Sequence, residues 1–423
     1  MLRRTFLHLT ALTGLGAFLG ACRQAMPSDR PPTFLVISGW QTVNIGDIAH
    51  TPGLLELLRT AFPGARFILW PKSVEGYGVS EMLQENFPNL TILPGTAGKD
   101  IALSPAAKEA MAAADMMIYG SGPGVMDLEK FYLWQQETRK PFGIMGVTVQ
   151  SVWPDLQSVL EAAAFVLTRE TASLQVVRDA GIAPERSGFF PDATFNIALQ
   201  DEATATRFLA ANGLEEKAFI CLVPRLRYTP YHQIHDYIQW DEAKIQEVTA
   251  HNDRYKEQDH AKLREVIVRW VEETGHPVLL CPEMTYQVDI MDELLIDPLP
   301  AAIKPYVRKH PYWLTDEAAS VYRRAVAVVS MECHSPIIAL ANGTPAFYLR
   351  QQEDTIKGQM YADLGLEDWV FPIDETGGQD LYARLSEVRQ DQAATQVKIE
   401  GAFVRVKAQH AAGIARIALL LAG

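Results

Sequence analysis

Short apolar segments alternate with helical patterns along almost the whole chain, and this alternation constrains the fold more than any other feature. Strands separated by helices are typical of parallel sheets, because parallel neighbours need a long crossover connection. The predicted strands are 33–38, 66–70, 90–93, 116–119, 142–147, 165–167, 219–223, 277–281, 325–329 and 346–349. The predicted helices are 47–59, 104–114, 155–163, 172–180, 261–274, 316–324, 335–341 and 379–388. The sequence therefore predicts an α/β protein.

The length of the chain favours two folded lobes. A sequence of 423 residues exceeds what one hydrophobic core usually supports. We predict two doubly wound, Rossmann-like lobes that face each other across a cleft, formed by residues 32–200 and 201–395. Residues 1–31 precede them as an export segment and linker. Residues 396–423 are predicted to form a C-terminal helix, long enough to pack along the second lobe or to cross to the first.

The charge balance restricts the class of partner. The formal net charge is −13 at pH 7. Nucleic-acid binding depends on clustered Lys and Arg that neutralise phosphates, so this charge argues against a nucleic-acid partner. A small anionic substrate is compatible with it if a local group of arginines binds the anion.

The first 22 residues resemble an export segment that ends in a lipidation site. Residues 3–7 (RRTFL) resemble a twin-arginine motif, and the apolar run that follows is too short to span a bilayer. Residues 19–22 (LGAC) resemble a lipoprotein cleavage box. We predict cleavage before Cys22, lipidation of its thiol, and an exported protein anchored to a membrane on its periplasmic or cell-surface side. The alternative is an ordinary amino-terminal helix.

Three further cysteines lie in apolar surroundings. Cys221 and Cys281 belong to segments predicted to be neighbouring strands, so a disulfide is conceivable, but two buried free thiols are favoured. Cys333 precedes His334, which suggests a nucleophile and its base. Adjacent residues on a helix point in different directions, so we interpret Cys333 as a packing residue.

His334 lies where a predicted strand meets a predicted helix. The strand 325–329 precedes it, and the helix 335–341 ends at Asn342 and Gly343. In an open parallel sheet such a turn lies at the carboxyl edge of the strands, where ligands bind. His334 is therefore the central candidate for a functional residue.

A second candidate turn, residues 43–47 (VNIGD), connects the first strand to the first helix. Gly46 permits close approach of the backbone, and the helix start supplies free N–H groups for an anion. Asp47 can orient an acceptor hydroxyl or act as an acid or base. The alternative is that Asn44 and Asp47 only cap the helix.

Two other segments sit at predicted strand ends. Gly120, Gly122 and Gly124 follow a strand and leave a backbone that can lie against a ligand, although a tight turn is the simpler interpretation. Arg225 and Arg227 follow the strand 219–223, where guanidinium groups can bind carboxylate or phosphate, and solvated surface arginines are the alternative.

The segment 228–240 is dense in aromatic residues, which can stack on sugar faces, so it is a candidate acceptor-binding segment. It contains His232 and His235. No Cys or Glu stands at a spacing that would complete a zinc site, so we expect no metal there.

Four segments, in this order and spacing, resemble the polysaccharide pyruvyl transferase family. They are residues 43–47, 120–124, 168–170 (TRE), and 330–345 followed by Lys357 and Gly358. The resemblance spans most of the chain after Cys22, and it implies a glycosyltransferase-B-like (GT-B-like) arrangement of the two lobes.

The resemblance also implies an activity. It implies transfer of a pyruvyl group from phosphoenolpyruvate to two hydroxyls of a sugar or polysaccharide acceptor, which gives a cyclic ketal and releases phosphate. His334 and Asp47 are then the catalytic residues, since an imidazole titrates near neutrality. Arg225, with Lys357 or Arg169, would hold the anionic donor. No cofactor or metal is implied. The candidate substrate-binding residues are Asn44, Gly46, Gly122, Gly124, Arg169, Arg225, Arg227, Glu332 and Lys357.

Two observations keep alternatives open. Phosphoenolpyruvate is a cytoplasmic metabolite, whereas the amino terminus indicates export. The family often has an arginine two residues before the histidine, where this chain has Glu332, and a carboxylate repels an anionic donor. The alternatives are an exported glycan-binding lipoprotein that keeps the fold without transferase activity, and a nucleotide-sugar glycosyltransferase.

Overall fold

The first lobe is a parallel sheet covered by helices on both faces, as its strand–helix alternation predicts. The computed structural model describes residues 30–101 and 103–422, so the predicted lipidation site at Cys22 lies outside the described residues. The strands are β1 (Thr33–Ile37), β2 (Arg66–Leu69), β3 (Leu90–Ile92), β4 (Met116–Tyr119), β5 (Phe142–Val147), β6 (Phe165–Thr168) and β7 (Ser187–Phe189). The helices are α1 (Ile45–Ala61), α2 (Val79–Asn86), α3 (Pro105–Ala113), α4 (Leu128–Thr138), α5 (Pro154–Ala162) and α6 (Thr171–Asp179). The strand order is β3-β2-β1-β4-β5-β6-β7.

The second lobe repeats this architecture. Its helices are α7 (Glu202–Asn212), α8 (Tyr231–Ile234), α9 (Glu242–Thr274), α10 (Gln287–Met291), α11 (Thr315–Arg324), α12 (His334–Ala341), α13 (Gln359–Asp363), α14 (Gly378–Gln390) and α15 (Gln392–Leu421). Its strands are β8 (Ile220–Val223), β9 (Val278–Leu280), β10 (Val307–Lys309), β11 (Val328–Ser330), β12 (Ala346–Arg350) and β13 (Val370–Pro372). They form a parallel sheet in the order β10-β9-β8-β11-β12-β13. The prediction of two doubly wound α/β lobes is confirmed.

Helix α15 connects the two lobes. The Arg405 guanidinium donates to the Leu364 carbonyl of the second lobe at 2.6 Å, and Arg416 donates to the Glu185 carbonyl of the first lobe at 2.8 Å. The helix therefore combines the two predicted placements, because it packs along the second lobe and also crosses to the first. None of the helices in residues 30–101 and 103–422 has an apolar stretch long enough to span a bilayer.

Helix α1 packs closely against the short 3₁₀ helix Ala193–Asn196 that follows β7. Gly53 lies at this contact, and a Cβ atom there would stand 2.1 Å from the Ala193 carbonyl oxygen. A backbone atom cannot move aside as a flexible side chain can, so this site requires glycine. The two segments can approach each other only because Gly53 has no side chain.

Two glycine substitutions should therefore change stability in opposite directions. Gly53→Ala should lower the free energy of unfolding by roughly 1–3 kcal/mol, the usual cost of overpacking. Gly401 lies within α15 with open space around the same position, so Gly401→Ala should raise it by ~0.5–1 kcal/mol through helix propensity. Urea unfolding followed by circular dichroism measures both; equal effects of the two variants would contradict the close approach at Gly53.

Candidate active site

The two lobes are joined by backbone hydrogen bonds beside the turn that opens α1. The Ile45 amide donates to the Glu283 carbonyl at 2.9 Å, and the Thr285 amide donates to the Val43 carbonyl at 3.0 Å. Glu283 and Thr285 follow β9, at the carboxyl edge of the second sheet. The carboxyl edges of both sheets therefore meet here, as expected for doubly wound lobes.

The turn itself is built by a capping residue and a glycine. Asn44 Oδ1 accepts from the amides of Gly46 at 2.7 Å and Asp47 at 3.2 Å, so it caps α1, the alternative role considered for it from the sequence. A Cβ atom on Gly46 would stand 2.4 Å from His334 Cβ. The close approach that Gly46 permits is therefore to the histidine of the other lobe.

His334, the first residue of α12, projects into a buried cluster of acidic groups. Its Nδ1 lies 3.5 Å from Glu283 Oε1, and its Nε2 lies 3.7 Å from Asp192 Oδ2. Its ring meets the ring of His50 edge to face, with centroids 4.8 Å apart. The imidazole of one lobe thus contacts side chains of both.

Asp192 holds this cluster together. Its Oδ2 accepts from Arg169 Nη1 at 2.8 Å, and its Oδ1 lies 2.9 Å from His50 Nδ1. Arg169 Nη1 also lies 3.4 Å from His334 Nε2, so this predicted substrate-binding residue contacts the candidate catalytic histidine. All of these side chains are buried.

The cluster favours a protonated His334. Burial opposes a charge on the ring, but the Cys333 sulfur and the carboxyl groups of Asp192 and Glu283 hold the pKa of His334 well above its usual value. The Arg169 guanidinium is a like charge, and the acidic groups around the ring outweigh it. The raised pKa favours the imidazolium form of the ring, which can donate a proton.

Asp47 has the complementary property. Burial raises the pKa of its carboxyl group, but the hydrogen bonds and charge of His50, with His334 and Gln41, outweigh burial and lower it. Gln41 donates to Asp47 Oδ2, and Asp47 Oδ1 lies 3.6 Å from His50 Nε2. Asp47 is therefore an ionised carboxylate that can accept a proton, with His50 between it and His334.

A second group of charges lies beside His334 in the same lobe. Arg225 pairs with Asp354 and lies 3.4 Å, through its Nε, from Glu332 Oε1. Lys357 Nζ lies 3.4 Å from Asp354 Oδ1. The structure thus brings together three of the predicted substrate-binding residues: Arg225 and Lys357 contact the buried carboxylate of Asp354, and Glu332 lies beside Arg225.

Glu332 is the unusual member of this group. Burial raises the pKa of Glu332 to about 7, although the Arg225 guanidinium opposes the rise. Gln287 Nε2 donates to Glu332 Oε1 at 2.8 Å. Near neutral pH this carboxyl group is partly protonated. Only the fraction of protein molecules in which Glu332 is ionised would repel an anionic ligand.

The structure places Arg227 in a different environment. Its guanidinium forms paired hydrogen bonds with Asp259, at 2.8 and 3.0 Å, and donates to Asp374 at 2.5 Å. Its Cζ lies 3.9 Å above the Tyr255 ring. Arg227 is therefore held by α9 and the segment after β13, and its donors face these partners.

Cys333 does not point away from His334 as predicted. Its sulfur lies 3.3 Å from His334 Nδ1. The expectation rested on regular helix geometry, but Cys333 is the residue before the first helical position, where its side chain can turn toward the ring. The prediction for the other two cysteines is confirmed, because Cys221 and Cys281 are buried free thiols.

The predicted aromatic segment contacts the turn of the first lobe. His235 Nε2 lies 2.7 Å from Gln41 Oε1, and Gln41 in turn holds Asp47. The ring of His232 lies 4.8 Å from that of Trp240. The segment thus covers one side of the candidate site.

The glycines of the turn 120–124 have two environments. A Cβ atom on Gly122 would lie 3.1 Å from the Trp40 indole nitrogen, so Gly122 packs against that ring. Gly124 has open space around it and borders a cavity. Only the second glycine of this pair leaves room for a ligand.

His50, Asp192 and His334 are the described residues whose atoms could together hold a metal ion, because one potential ligand atom from each lies within 4.8 Å of the others. Arg169 Nη1 already lies near the Asp192 and His334 atoms. A cation bound there would meet the guanidinium charge. We therefore interpret the cluster as a proton-carrying network.

Sequence reasoning missed His50, Glu283 and Asp354. His50 stands three residues after Asp47 on a helix, a spacing that places both side chains on one face, so the signal was present. Glu283 comes shortly after a predicted strand, at the same edge as His334. Asp354 is buried by the loop after β12, and the sequence offers no signal for that.

Comparison with solved structures shows the same architecture in sugar-processing enzymes. A putative UDP-N-acetylglucosamine 2-epimerase from Listeria monocytogenes aligns with a TM-score of 0.56 and 13% identity, over 88% of this chain and 91% of that one. Anabaena HepE, in complex with UDP and glucose, aligns with a TM-score of 0.52 and 12% identity, over 90% of this chain and 97% of that one. Escherichia coli ADP-heptose LPS heptosyltransferase II aligns with a TM-score of 0.50 and 12% identity, over 85% of this chain and 99% of that one. These similarities establish the GT-B-like fold.

Comparison of the sequence with family profiles identifies the family. No curated protein matches the chain. The profile of the polysaccharide pyruvyl transferase family matches residues 44–353, which include the turn at Asp47, the cluster around Asp192, and His334. This chain is therefore a member of the polysaccharide pyruvyl transferase family.

Proposed function

We propose that this protein transfers a pyruvyl group from phosphoenolpyruvate, or a related enol phosphate, to two hydroxyls of a cell-envelope glycan. The observation that carries the proposal is the placement of His334 and Asp47 at the meeting of the two lobes, with His50 in contact with both. A raised pKa of His334 and a lowered pKa of Asp47 suit them to proton transfer. One group can give a proton and the other can take one, and the reaction needs both.

Pyruvyl transfer requires one proton donor and one proton acceptor. Protonation of the enol CH₂ carbon makes it a methyl group and leaves the adjacent carbon electrophilic. A sugar hydroxyl then forms a C–O bond to that carbon and releases its proton. The second hydroxyl forms the other C–O bond as the bond to the phosphate oxygen breaks, and phosphate leaves with that electron pair and the remaining proton. The products are a cyclic ketal and inorganic phosphate.

The cluster supplies the proton transfers. His334 donates to the enol carbon, a role that fits its raised pKa. Asp47 accepts the proton of the first hydroxyl. His50 lies 3.6 Å from Asp47 and 2.9 Å from Asp192, whose other oxygen lies 3.7 Å from His334 Nε2, so these side chains can return the proton to the imidazole.

The charges beside His334 supply donor binding. Arg225 and Lys357 are cations that can bind the carboxylate and phosphate of the donor. They are paired with Asp354 in this structure, so the donor competes with that carboxylate for them. Glu332 in its neutral form would not repel the donor, so a carboxyl group at this position is compatible with an anionic donor.

His334→Ala should abolish pyruvyl transfer. Loss of the proton donor should lower kcat at least ~100-fold, since general acid–base catalysis contributes roughly 10²–10⁴-fold. Phosphate release from phosphoenolpyruvate in the presence of a cell-envelope glycan fraction measures turnover. His276→Ala is the control, because His276 is an exposed histidine of the same lobe.

Retained turnover in His334→Ala would remove the histidine from the mechanism. Two other results would favour different functions. Binding of glycan without any binding of phosphoenolpyruvate, measured by calorimetry, would favour a glycan-binding protein. Binding of UDP-glucose in place of phosphoenolpyruvate would favour a nucleotide-sugar glycosyltransferase.

Donor affinity should fall as pH rises through about 7, where Glu332 loses its proton. Below that pH the carboxyl group is neutral; above it, a negative charge faces the anionic donor. Affinity should decrease about tenfold between pH 6 and 8, the scale of a partly screened repulsion between neighbouring charges. Calorimetry with phosphoenolpyruvate across this range measures the dependence.

Glu332→Gln is the matched control for that pH series. It keeps an oxygen acceptor near Arg225 but cannot ionise, so its affinity should vary with pH only as the donor itself titrates. Identical pH profiles for the variant and the wild type would show that Glu332 does not govern donor binding.

We also propose that the protein is exported and anchored to a membrane through a lipid on Cys22, which would place it beside envelope glycans. Metabolic labelling with palmitate should mark the wild type and not Cys22→Ala, and the variant should move from the membrane to the soluble fraction. Cys333→Ala, in a buried cysteine, is the labelling control. An unprocessed, unlabelled wild-type protein in the cytoplasm would contradict the anchor.

A further inference from the structure

A separate cavity lies in the first lobe at the carboxyl ends of β4 and β5. It has a volume of about 250 Å³ and lies between the segment after β4 and the segment that leads into α5. Gly124 and Met126 line one side, and Gln150, Ser151 and Trp153 line the other. Ligands bind at this edge in doubly wound sheets.

The cavity is connected to the candidate active site through one side chain. Thr148 lines the cavity, and its Oγ1 accepts from Arg169 Nε at 2.8 Å. The same guanidinium reaches Asp192 and His334 through Nη1. A molecule bound in the cavity therefore lies one residue away from the arginine that contacts the catalytic histidine.

The chemistry of the wall selects the ligand class. None of the residues that line this cavity carries a charged side chain. Trp153 is 46% exposed although it is a large aromatic residue, and it is fixed as the residue before α5, where its carbonyl accepts from the Gln157 amide at 2.8 Å. An aromatic face with no charge beside it suits a neutral ring and offers nothing to a phosphate or carboxylate.

Two polar side chains, Gln150 and Ser151, line the cavity together with the Trp153 ring. Gln150 and Ser151 are exposed at the cavity, and within the described residues neither side chain forms a hydrogen bond to the protein. An amide and a hydroxyl can each donate and accept, as sugar hydroxyls require. A sugar ring has one apolar face for the indole and hydroxyls at its rim for these two groups.

We infer that this cavity is a binding subsite for one neutral sugar ring of the glycan acceptor, with Trp153 as its stacking surface. The inference rests on the proposed function for the identity of the ligand as the acceptor, but binding itself does not require turnover. It divides the ligands between the lobes: the anionic donor meets Arg225 and Lys357 in the second lobe, and the neutral sugar meets Trp153 in the first.

Direct binding measurements test this inference. The probes are the neutral disaccharides lactose, cellobiose and diacetylchitobiose, and saturation-transfer NMR on the full chain detects their contact with the protein. At least one disaccharide should bind, and Trp153→Ala should weaken that binding about tenfold or more, the usual effect of removing an aromatic anchor. Trp153→Phe should retain most of the affinity, because a ring remains.

Two controls separate the subsite from general effects. Tyr306→Ala removes an aromatic residue of the second lobe that is 39% exposed, and it should leave disaccharide binding unchanged. Gln150→Ala should weaken binding without changing the thermal unfolding temperature. Phosphoenolpyruvate affinity should be the same in Trp153→Ala and the wild type, since the donor residues lie in the other lobe.

Several results would overturn the inference. One is that no disaccharide binds; another is that Trp153→Ala binds disaccharide as the wild type does. Loss of UDP binding in Trp153→Ala, with no disaccharide binding, would assign the ring to a nucleobase instead. If disaccharide binding depends on Trp153 but no pyruvyl transfer occurs, the subsite stands and the proposed function fails. If pyruvyl transfer occurs while disaccharide binding does not depend on Trp153, the proposed function stands and the subsite fails.

Discussion

The site depends on the compensation of buried charge around Asp192. A buried, unpaired carboxylate is strongly unfavourable, and so is a buried, unpaired guanidinium. Asp192 meets Arg169 at 2.8 Å and His50 at 2.9 Å, so each of these groups makes the burial of the others possible. The imidazole of His334 enters this arrangement from the other lobe. The position of the catalytic candidate is thus tied to an electrostatic requirement of the interior.

Glycine makes that arrangement possible in space. His334 can lie against α1 only because Gly46 has no side chain. The same turn forms backbone hydrogen bonds with the segment after β9, which carries Glu283. Contact between the lobes, proximity of Asp47 to the cluster, and the orientation of the imidazole therefore arise from one short stretch of the chain.

Much of the fold could be predicted because buried strands have a clear signature. β4 and β5 are continuous apolar runs, and the structure reproduces their predicted limits. β7, β10 and β13, each a three-residue strand at the edge of its sheet, were missed. The first turns of α9 are polar and mostly exposed, so its start at Glu242 gave no periodic apolar signal.

Most of the site residues that were predicted lie next to a strand end; Lys357, in the loop after β12, was predicted from the family resemblance. His334, Asp47 and Arg225 stand at such positions. The structure brings His334 and Asp47 to the meeting of the lobes, and Arg225 to the charged group that includes Glu332 and Asp354. His50 lies inside a helix, and Asp354 in a loop, where a polar residue has many ordinary explanations. Arg227 follows the same strand as Arg225, yet its guanidinium turns to Asp259, because two carboxylates close to α9 offer it better partners.

Helix α15 has a consequence for how ligands enter. It holds the second lobe through Arg405 and the first through Arg416, and Phe403 packs edge to face on Phe195. A large rotation of one lobe away from the other would break the contacts that this 30-residue helix makes with one of them. Two lobes joined by a flexible linker can separate widely, whereas here one continuous helix contacts both lobes. We therefore expect ligands to reach His334 and Asp47 without a large separation of the two lobes.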